Sequence, residues 1–332
     1  MDLSVNYLGL ELKSPLVVGS SSLTSSLDHL KKAETAGAGA VVLKSIFEEE
    51  IYNEYNKVMD YERTEGESEY AYLDYYDFKI KQDNIQNYIK LIKEAKSELS
   101  IPVIASINCS SNHEWMFFAK KIQEAGADAI ELNLFILPSD FNASSHQVED
   151  LYFDIINKVK AEINIPLSVK LSYYSSNLAA FLNKVSESGV DGIVLFNRFF
   201  HPDFDIDTFE VTPSNVLSNP SDLAISLRWI SLLSGRVSCD LIASTGVHDG
   251  SALIKQLLAG ADAVQVASVL FTKGIEYVSV MLDDLKKWME KHGFENISDF
   301  KAKMSQVSAP NPAEYERVQF MKYFGHKKYD LD

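Results

Sequence analysis

The sequence predicts an α/β fold, a closed (β/α)8 or TIM barrel, and three observations carry that expectation. The first is a repeat. Ala36–Ser45 (AGAGAVVLKS), Ala125–Leu134 (AGADAIELNL), Ser188–Asn197 (SGVDGIVLFN) and Ala259–Ser268 (AGADAVQVAS) each pass from a small-residue turn into a short, largely β-branched strand with a polar residue at or near its end. The second is an interleaved set: Ser14–Ser21 (SPLVVGSS), Ile101–Asn108 (IPVIASIN), Ile165–Ser172 (IPLSVKLS) and Cys239–Gly246 (CDLIASTG). Together they give eight strand candidates in alternation, each followed by a helical segment. The third is size. A chain of 332 residues, 46% hydrophobic and without a break in composition, suits one barrel domain over residues 1–332 with insertions. Polar residues at strand C-terminal ends then share one mouth, so the repeat locates the chemistry before any motif is consulted.

Residues 3–12 (LSVNYLGLEL) alternate around Leu8-Gly9 and read as an N-terminal β-hairpin plugging the N-terminal mouth. Then come β1 (Pro15–Gly19), α1 (Ser26–Ala36, with Ser25, Ser26 or Asp28 as cap) and β2 (Ala40–Lys44). From Ser45 to about Lys79 the chain is acidic and holds Tyr52, Tyr55, Tyr61, Tyr70, Tyr72, Tyr75 and Tyr76. This long βα2 insertion leaves the active face; it reads as a partial lid, or else as a subunit contact or a solvated loop. Helix α2 is placed at Gln82–Glu98, where Ile85, Tyr88, Ile89 and Ile92 share a face. The order continues β3 (Val103–Asn108), α3 (His113–Ala125), β4 (Ala129–Leu134), α4 (Gln147–Ile163), β5 (Leu167–Leu171), α5 (Leu178–Ser188) and β6 (Gly192–Asn197). After a second long connection, βα6 (Arg198–Ser221), come α6 (Asp222–Leu233), β7 (Leu241–Thr245), α7 (Ser251–Ala259), β8 (Ala263–Ser268) and a last helix at Ile275–His292.

Net charge is −16, which argues against nucleic acid or an anionic membrane as partner yet allows a local cation cluster for a small anionic ligand. Two cysteines, Cys109 and Cys239, do not make a disulfide framework and suit a reducing compartment. No signal-peptide pattern opens the chain, and no run of about eighteen uncharged apolar residues occurs. The expectation is a cytoplasmic protein. The seven histidines are scattered, and neither H-E-x-x-H nor C-x-x-C is present, so no metal and no iron–sulfur cluster is expected.

The strand ends carry Ser20 and Ser21, Lys44 and Ser45, Asn108, Asn133, Lys170, Asn197, Thr245 and Gly246, and Ala267 and Ser268. Two lysines at one barrel mouth are costly without partners and favour an anionic or electron-rich ligand over a purely structural role. The turn STGVHDG after β7 offers backbone N–H groups at a helix start, with Ala267-Ser268 beside it, which suits a phosphate better than an ordinary tight turn. His248 and Asp249 read as a helix start, with Asp249 as cap. The whole set suits flavin mononucleotide (FMN): phosphate at β7/β8, a lysine at the N1–C2=O edge, asparagines on the pyrimidine edge or the substrate.

These residues resemble the dihydroorotate dehydrogenase family of FMN barrels, and more closely its divergent branch. The segments LGLELKSPLVVGSSSLT, GAGAVVLKSIFEEEI, PVIASINCSSNHEW, GADAIELNLFILPSD, LSVKLSYY, GIVLFNRFFHPDFDID, VLSNPSDL, STGVHDG and AGADAVQVASVL carry the resemblance across residues 1–300. It implies flavin contacts at Gly19, Ser20, Lys44, Ser45, Asn108, Asn133 and Lys170. Phosphate contacts fall on Thr245, Gly246, Ala267 and Ser268, and Leu217-Ser218-Asn219-Pro220 matches the family's Leu-Ser-Gly-Pro turn. Lys44, Asn133 and Asn197 also match substrate-facing positions.

Departures are as informative. The family has Asn-Leu-Ser-Cys-Pro-Asn after β4, with Cys or Ser as base; here Ile136 stands at that place. Ser139, Asp140, Ser144 or His146 are the nearby substitutes, and Ser139 joins Lys44 and Asn133 as a catalytic candidate. The family's substrate loop after β2 is replaced by the Tyr-rich segment, Arg198 replaces a serine, and Thr245 replaces a glycine. Arg198 reads either as a carboxylate clamp or as a partner of Asp203, Asp205 or the acidic lid. Cys109 reads as a buried filler.

The implied reaction is oxidation of dihydroorotate to orotate in pyrimidine biosynthesis, with hydride passing to flavin N5 and a base taking the second proton. Two alternatives stay open: an FMN oxidoreductase acting on another anionic heterocycle or an enone, and a non-catalytic FMN or phosphate binder. The resemblance and the Tyr-rich segment favour a homodimer. No dinucleotide-binding unit is present, so the electron acceptor stays open, and NAD(P) would need a partner protein or direct docking over the flavin.

Overall fold

The computed structural model describes residues 1–47, 70–108, 112–134, 136–198 and 201–316. Eight parallel strands close on themselves: β1 (Leu16–Val18), β2 (Ala40–Val42, resuming at Ile46–Phe47), β3 (Val103–Asn108), β4 (Ala129–Asn133), β5 (Leu167–Leu171), β6 (Gly192–Leu195), β7 (Asp240–Ala243) and β8 (Ala263–Val266). Each pairs with the next, and Val264 of β8 sits opposite Leu16 of β1, which closes the cylinder. Helices α1 (Leu27–Thr35), α2 (Tyr70–Glu98), α3 (Asn112–Ala125), α4 (Ser145–Glu162), α5 (Leu178–Glu187), α6 (Leu223–Leu233) and α7 (Gly250–Ala259) alternate with the strands. The short α8 (Ser268–Lys273) and the long α9 (Tyr277–His292) follow β8.

Strand alternation divides the apolar residues between two cores. Leu16, Val18, Val41, Val103, Ile107 and Leu132 pack against the helices. Val17, Ala40, Val42, Ile104, Ala129, Val194, Ile242 and Ala263 face the lumen. The expected hairpin pairs Val5–Tyr7 with Leu10–Leu12, and its two turn residues, Leu8 and Gly9, have φ of 56° and 72°. Tyr7, Leu8 and Leu12 insert among the lumen residues and fill the N-terminal end.

Three expectations change. Helix α2 starts at Tyr70, not Gln82, and includes Tyr72, Tyr75 and Tyr76. No glycine or proline lies between residues 70 and 82, so nothing stops the helix there; the aromatic run hides this because aromatic residues are weaker helix formers. The βα6 connection holds a small antiparallel hairpin, Pro202–Phe204 with Val211–Pro213. Helix α4 begins two residues early, capped by Ser144, whose Oγ accepts from Gln147 N while the Gln147 side chain returns to Ser144. Of the lid expected from Ser45 to about Lys79, residues 48–69 lie outside the described residues, as does the filler at Cys109.

The repeat has a structural cause at the barrel's N-terminal end. Asp128, Asp191 and Asp262 each stand one residue before an even-numbered strand. Each carboxylate accepts an N–H from the first or second residue of the preceding strand: Val103 N at 2.7 Å, Leu167 N at 2.8 Å and Leu241 N at 2.8 Å. Each is also paired with a lysine: Lys96, Lys160 and Lys301. In the first repeat Gly39 takes this place, because a Cβ there would lie 2.0 Å from the Ser14 carbonyl oxygen. The aspartates thus staple neighbouring strands, on the face opposite the chemistry. Asp128→Ala is expected to destabilise the chain by about 1–3 kcal/mol in urea unfolding, with Asp128→Asn recovering part of the loss through its remaining acceptor.

Candidate active site

Above the apolar lumen floor lies a polar layer. Ser106, Glu131, Ser168 and Gln265 occupy lumen-facing positions of β3, β4, β5 and β8 and are at most 2% exposed. One more step along each of β3, β4 and β5, on the same face, come Asn108, Asn133 and Lys170, all half-buried. The expected rim residues therefore rest on a hidden polar tier. Sequence reading missed this tier by looking only at strand ends. Its signal was a glutamate inside an otherwise apolar strand, AIELN.

Strand β2 reaches the rim differently. Val42 is opposite Ile104, whereas Ile46 is opposite Ile107, so β2 carries one extra residue across Leu43–Ser45. This is a bulge, and it turns consecutive residues toward one face. Ser45 Oγ lies 2.7 Å from Ser106 Oγ and 3.1 Å from Ser20 Oγ, while Ser45 N donates to Ser20 Oγ at 2.9 Å. Lys44, half-buried, lies within this bulge. The bulge leaves Ser106 without a register partner on β2, and the Tyr88 hydroxyl of α2 takes over. It accepts from Ser106 N at 2.8 Å and donates to Ser106 O at 3.2 Å. Burial pushes the Tyr88 phenol well above its ordinary value, so it stays neutral and able to donate.

The Lys170 ammonium donates to Gln265 Oε1 at 3.0 Å and lies 3.8 Å from Glu131 Oε1. Gln265 Nε2 donates to Glu131 Oε2. On the neighbouring rim Asn197 Nδ2 donates to Asn133 Oδ1 at 2.6 Å, so Asn133 keeps its Nδ2 end for other bonds. Arg198 Nη1 donates to Val216 O at 2.7 Å and its Nε lies 3.7 Å from Asp222. Among the described residues its acidic partner is Asp222, and not Asp203 or Asp205.

The turn after β7 has left-handed backbone at Thr245 (φ 72°) and Gly246 (φ 79°). For β-branched Thr245 this is strained; its Oγ1 donates to Phe196 O at 2.9 Å and holds the turn to β6. At Gly246 a Cβ would fall 2.1 Å from Leu223 N, so only glycine fits. Ser218 from the βα6 connection ties this corner together: its N donates to Ser268 Oγ at 3.0 Å, and its Oγ accepts from Gly246 N and sits 3.0 Å from His248 Nε2. Asp249 caps α7 as expected, accepting from Ala252 N at 2.7 Å. His248 is an addition: it joins the corner and not merely the helix start.

These elements surround a cleft of about 150 Å³ lined by Ser20, Lys170, Asn197, Arg198, Ser218, Thr245, Gly246, Ala267 and Ser268, with Gln265 and Phe196 in its wall. Gly19, Lys44, Ser45, Asn108 and Asn133 stand outside that lining. Gly19 abuts it, since a Cβ there would meet Gln265 Oε1 at 3.3 Å. A second hollow of about 60 Å³ adjoins it, between Tyr173, Arg198, His201 and Asp222.

The candidate bases of the loop after β4 stand outside the cleft lining. Ser139 is exposed and bonded only to the Leu137 carbonyl; Asp140 accepts from Asn142 N; Ser144 caps α4; His146 is exposed in its first turn. Ile136 is half-buried against the core, its carbonyl accepting from Tyr152 OH. Cys239 precedes β7 at the far end of the barrel, its thiol pushed up to about 12 by burial. Among the described residues no group of three His, Cys, Asp or Glu side chains could hold a metal, and no helix is long and apolar enough to cross a membrane.

The family model for dihydroorotate dehydrogenase matches residues 2–289. The dihydroorotate dehydrogenase B (NAD(+)) catalytic subunit of Thermoplasma acidophilum is 28% identical over 307 residues, covering 90% of this chain and 97% of that protein. Its counterpart in Methanocaldococcus jannaschii is 25% identical over 314 residues, covering 89% and 95%. The crystal structure of an Eimeria tenella DHODH in complex with ferulenol matches with a TM-score of 0.65 at 16% identity, covering 90% of this chain and 88% of that one, a likeness of fold.

Burial holds the His248 imidazole below its ordinary value, against a smaller opposing pull from the Ser218 backbone. The folded chain then binds fewer protons here than the unfolded chain, so stability falls as pH drops through the unfolded histidine value of 6.5. Thermal unfolding is expected to show a loss between pH 8 and pH 5.5 that is smaller in His248→Gln; equal losses in both chains would remove His248 from that account.

Proposed function

The chain belongs to the dihydroorotate dehydrogenase family, and from that premise we propose that it is an FMN-dependent oxidoreductase acting on a CH–CH bond of a small, flat, anionic substrate, dihydroorotate being the reference case. The carrying observation is the single cleft on which Lys170, Asn197 and Arg198 converge with the glycine turn at Thr245-Gly246. Its donor set fits the cofactor: a partly sheltered ammonium, amide groups on one rim, and a corner of small residues with left-handed backbone where only glycine is accommodated.

Each group has a chemical task. Thr245, Gly246, Ala267, Ser268 and Ser218 would hold the phosphate, and Lys170, with Lys44, Asn108 and Asn133, would hold the ring. When bound, FMN supplies a two-electron acceptor. Lys170 presents positive charge from below the cleft, while Asn133, its Oδ1 locked by Asn197, offers Nδ2–H groups to the substrate. Arg198 ties the rim to the βα6 connection through Val216 and would exchange Asp222 for a substrate carboxylate.

Proton removal is where the chain departs from its family. Isoleucine at position 136 has no lone pair to accept a proton, and residues 139–146 carry no side chain into the cleft lining. That observation favours a second reading in which the same cleft serves another anionic heterocycle or an enone.

The purified chain supplied with FMN is expected to be yellow, with a flavin absorbance spectrum; a colourless protein would refute the cofactor assignment. Anaerobic mixing with dihydroorotate should bleach that spectrum, and Lys44→Ala should slow the bleaching by about 10²-fold or more. Ile136→Cys is expected to speed it by about 10²–10⁴-fold, the worth of a positioned base. No bleaching by dihydroorotate in either chain, with bleaching by a different heterocycle or an enone, would select the second reading.

A further inference from the structure

We infer that Glu131 is a positioning residue for Lys170: it is the counter-ion that holds the ammonium under the cleft and trims the positive charge offered to a flavin. The inference rests on the flavin reading above and extends it to a residue beneath the rim.

Glu131 is fully buried. A carboxylate in that place is strongly disfavoured unless paired. Its pairing is directional. Oε2 accepts from Gln265 Nε2, which fixes the Gln265 amide with Oε1 toward Lys170, where it accepts the ammonium at 3.0 Å. Oε1 of Glu131 has no hydrogen bond and faces Lys170 at 3.8 Å. One carboxylate thus restrains the lysine twice, by charge and through an oriented amide. The rest of the tier supplies no substitute: Ser106 bonds Ser45, and Ser168 Oγ donates to the Ile130 carbonyl. Lys170 and Gln265 both line the cleft, whereas Glu131 does not, so Glu131 acts through them. Charge near a bound flavin ring tunes its electron affinity. Removing the negative member of the pair leaves more positive field at the ring and favours the electron-richer reduced form.

The test has two arms. In the flavin-loaded chain, Glu131→Gln is expected to move the midpoint potential of the bound flavin positive, and Glu131→Asp, which keeps the charge, to recover at least half of that shift. A potential in Glu131→Gln that stays put or moves negative overturns the inference, as does a Glu131→Asp potential equal to that of Glu131→Gln. The second arm needs no cofactor. In apoprotein unfolding, Lys170→Met leaves a buried unpaired carboxylate, and its folding constant is expected to lie at least tenfold below that of Lys170→Met combined with Glu131→Gln. Equal folding constants overturn the pairing. If the chain takes up no FMN, the flavin reading fails on its own, and the apoprotein arm still decides whether Glu131 and Lys170 act as a pair.

Discussion

The Lys170 ammonium and the Glu131 carboxylate lie 3.8 Å apart on adjacent strands of a closed barrel, with Asn133 opposite Lys170 in the register. Neither charge is tolerable in that place alone. A barrel lumen is ordinarily packed with apolar side chains, and this one is so only at its N-terminal end, where Tyr7, Leu8 and Leu12 fill it from below. The apolar plug fills that end, and the groups of the polar tier above it bond chiefly to one another, with Glu131 Oε1 left facing Lys170 at 3.8 Å. Gln265, the third member, uses both ends of its amide in these bonds.

The bulge in β2 is the second constraint on the same space. One extra residue brings Ser45 to Ser106 and Ser20, yet leaves Ser106 without a register partner on β2. Tyr88 repairs that gap with a single hydroxyl serving as both acceptor and donor. A residue of α2 is thus part of the strand architecture beneath the site. The corner at Thr245-Gly246 follows the same logic: Thr245 holds a strained conformation because its hydroxyl reaches Phe196 O just past β6, and Ser218 of the βα6 connection and His248 ahead of α7 brace the turn.

Strand ends were legible because each ends a β-branched run with a polar residue, and the two-residue period assigns faces. The hairpin plug was legible from Leu8-Gly9, and the α7 cap from Asp249. The tier of Ser106, Glu131, Ser168 and Gln265 was equally present in the alternation, two residues before Asn108, Asn133 and Lys170 and two before Ala267. It escapes a reading that stops at the last polar residue. The start of α2 escaped because aromatic residues mask a stretch that no glycine or proline interrupts. Ser139 was named by its neighbours in the chain; in the fold it is exposed and stands outside the cleft lining.

The sequence by itself determined the barrel, its orientation and the identity of the rim, since these depend on local turn residues and on a period that any short strand must obey. It also showed that isoleucine occupies the family's base position. Only the tertiary structure decided which groups pair. Glu131 meets Gln265, which is 134 residues away in the chain, because closing the cylinder brings β4 and β8 to face each other across the lumen. Arg198 chose Asp222, Tyr88 met Ser106, and Ser218 reached His248 for the same reason: partners are selected by distance in space, which chain spacing does not encode.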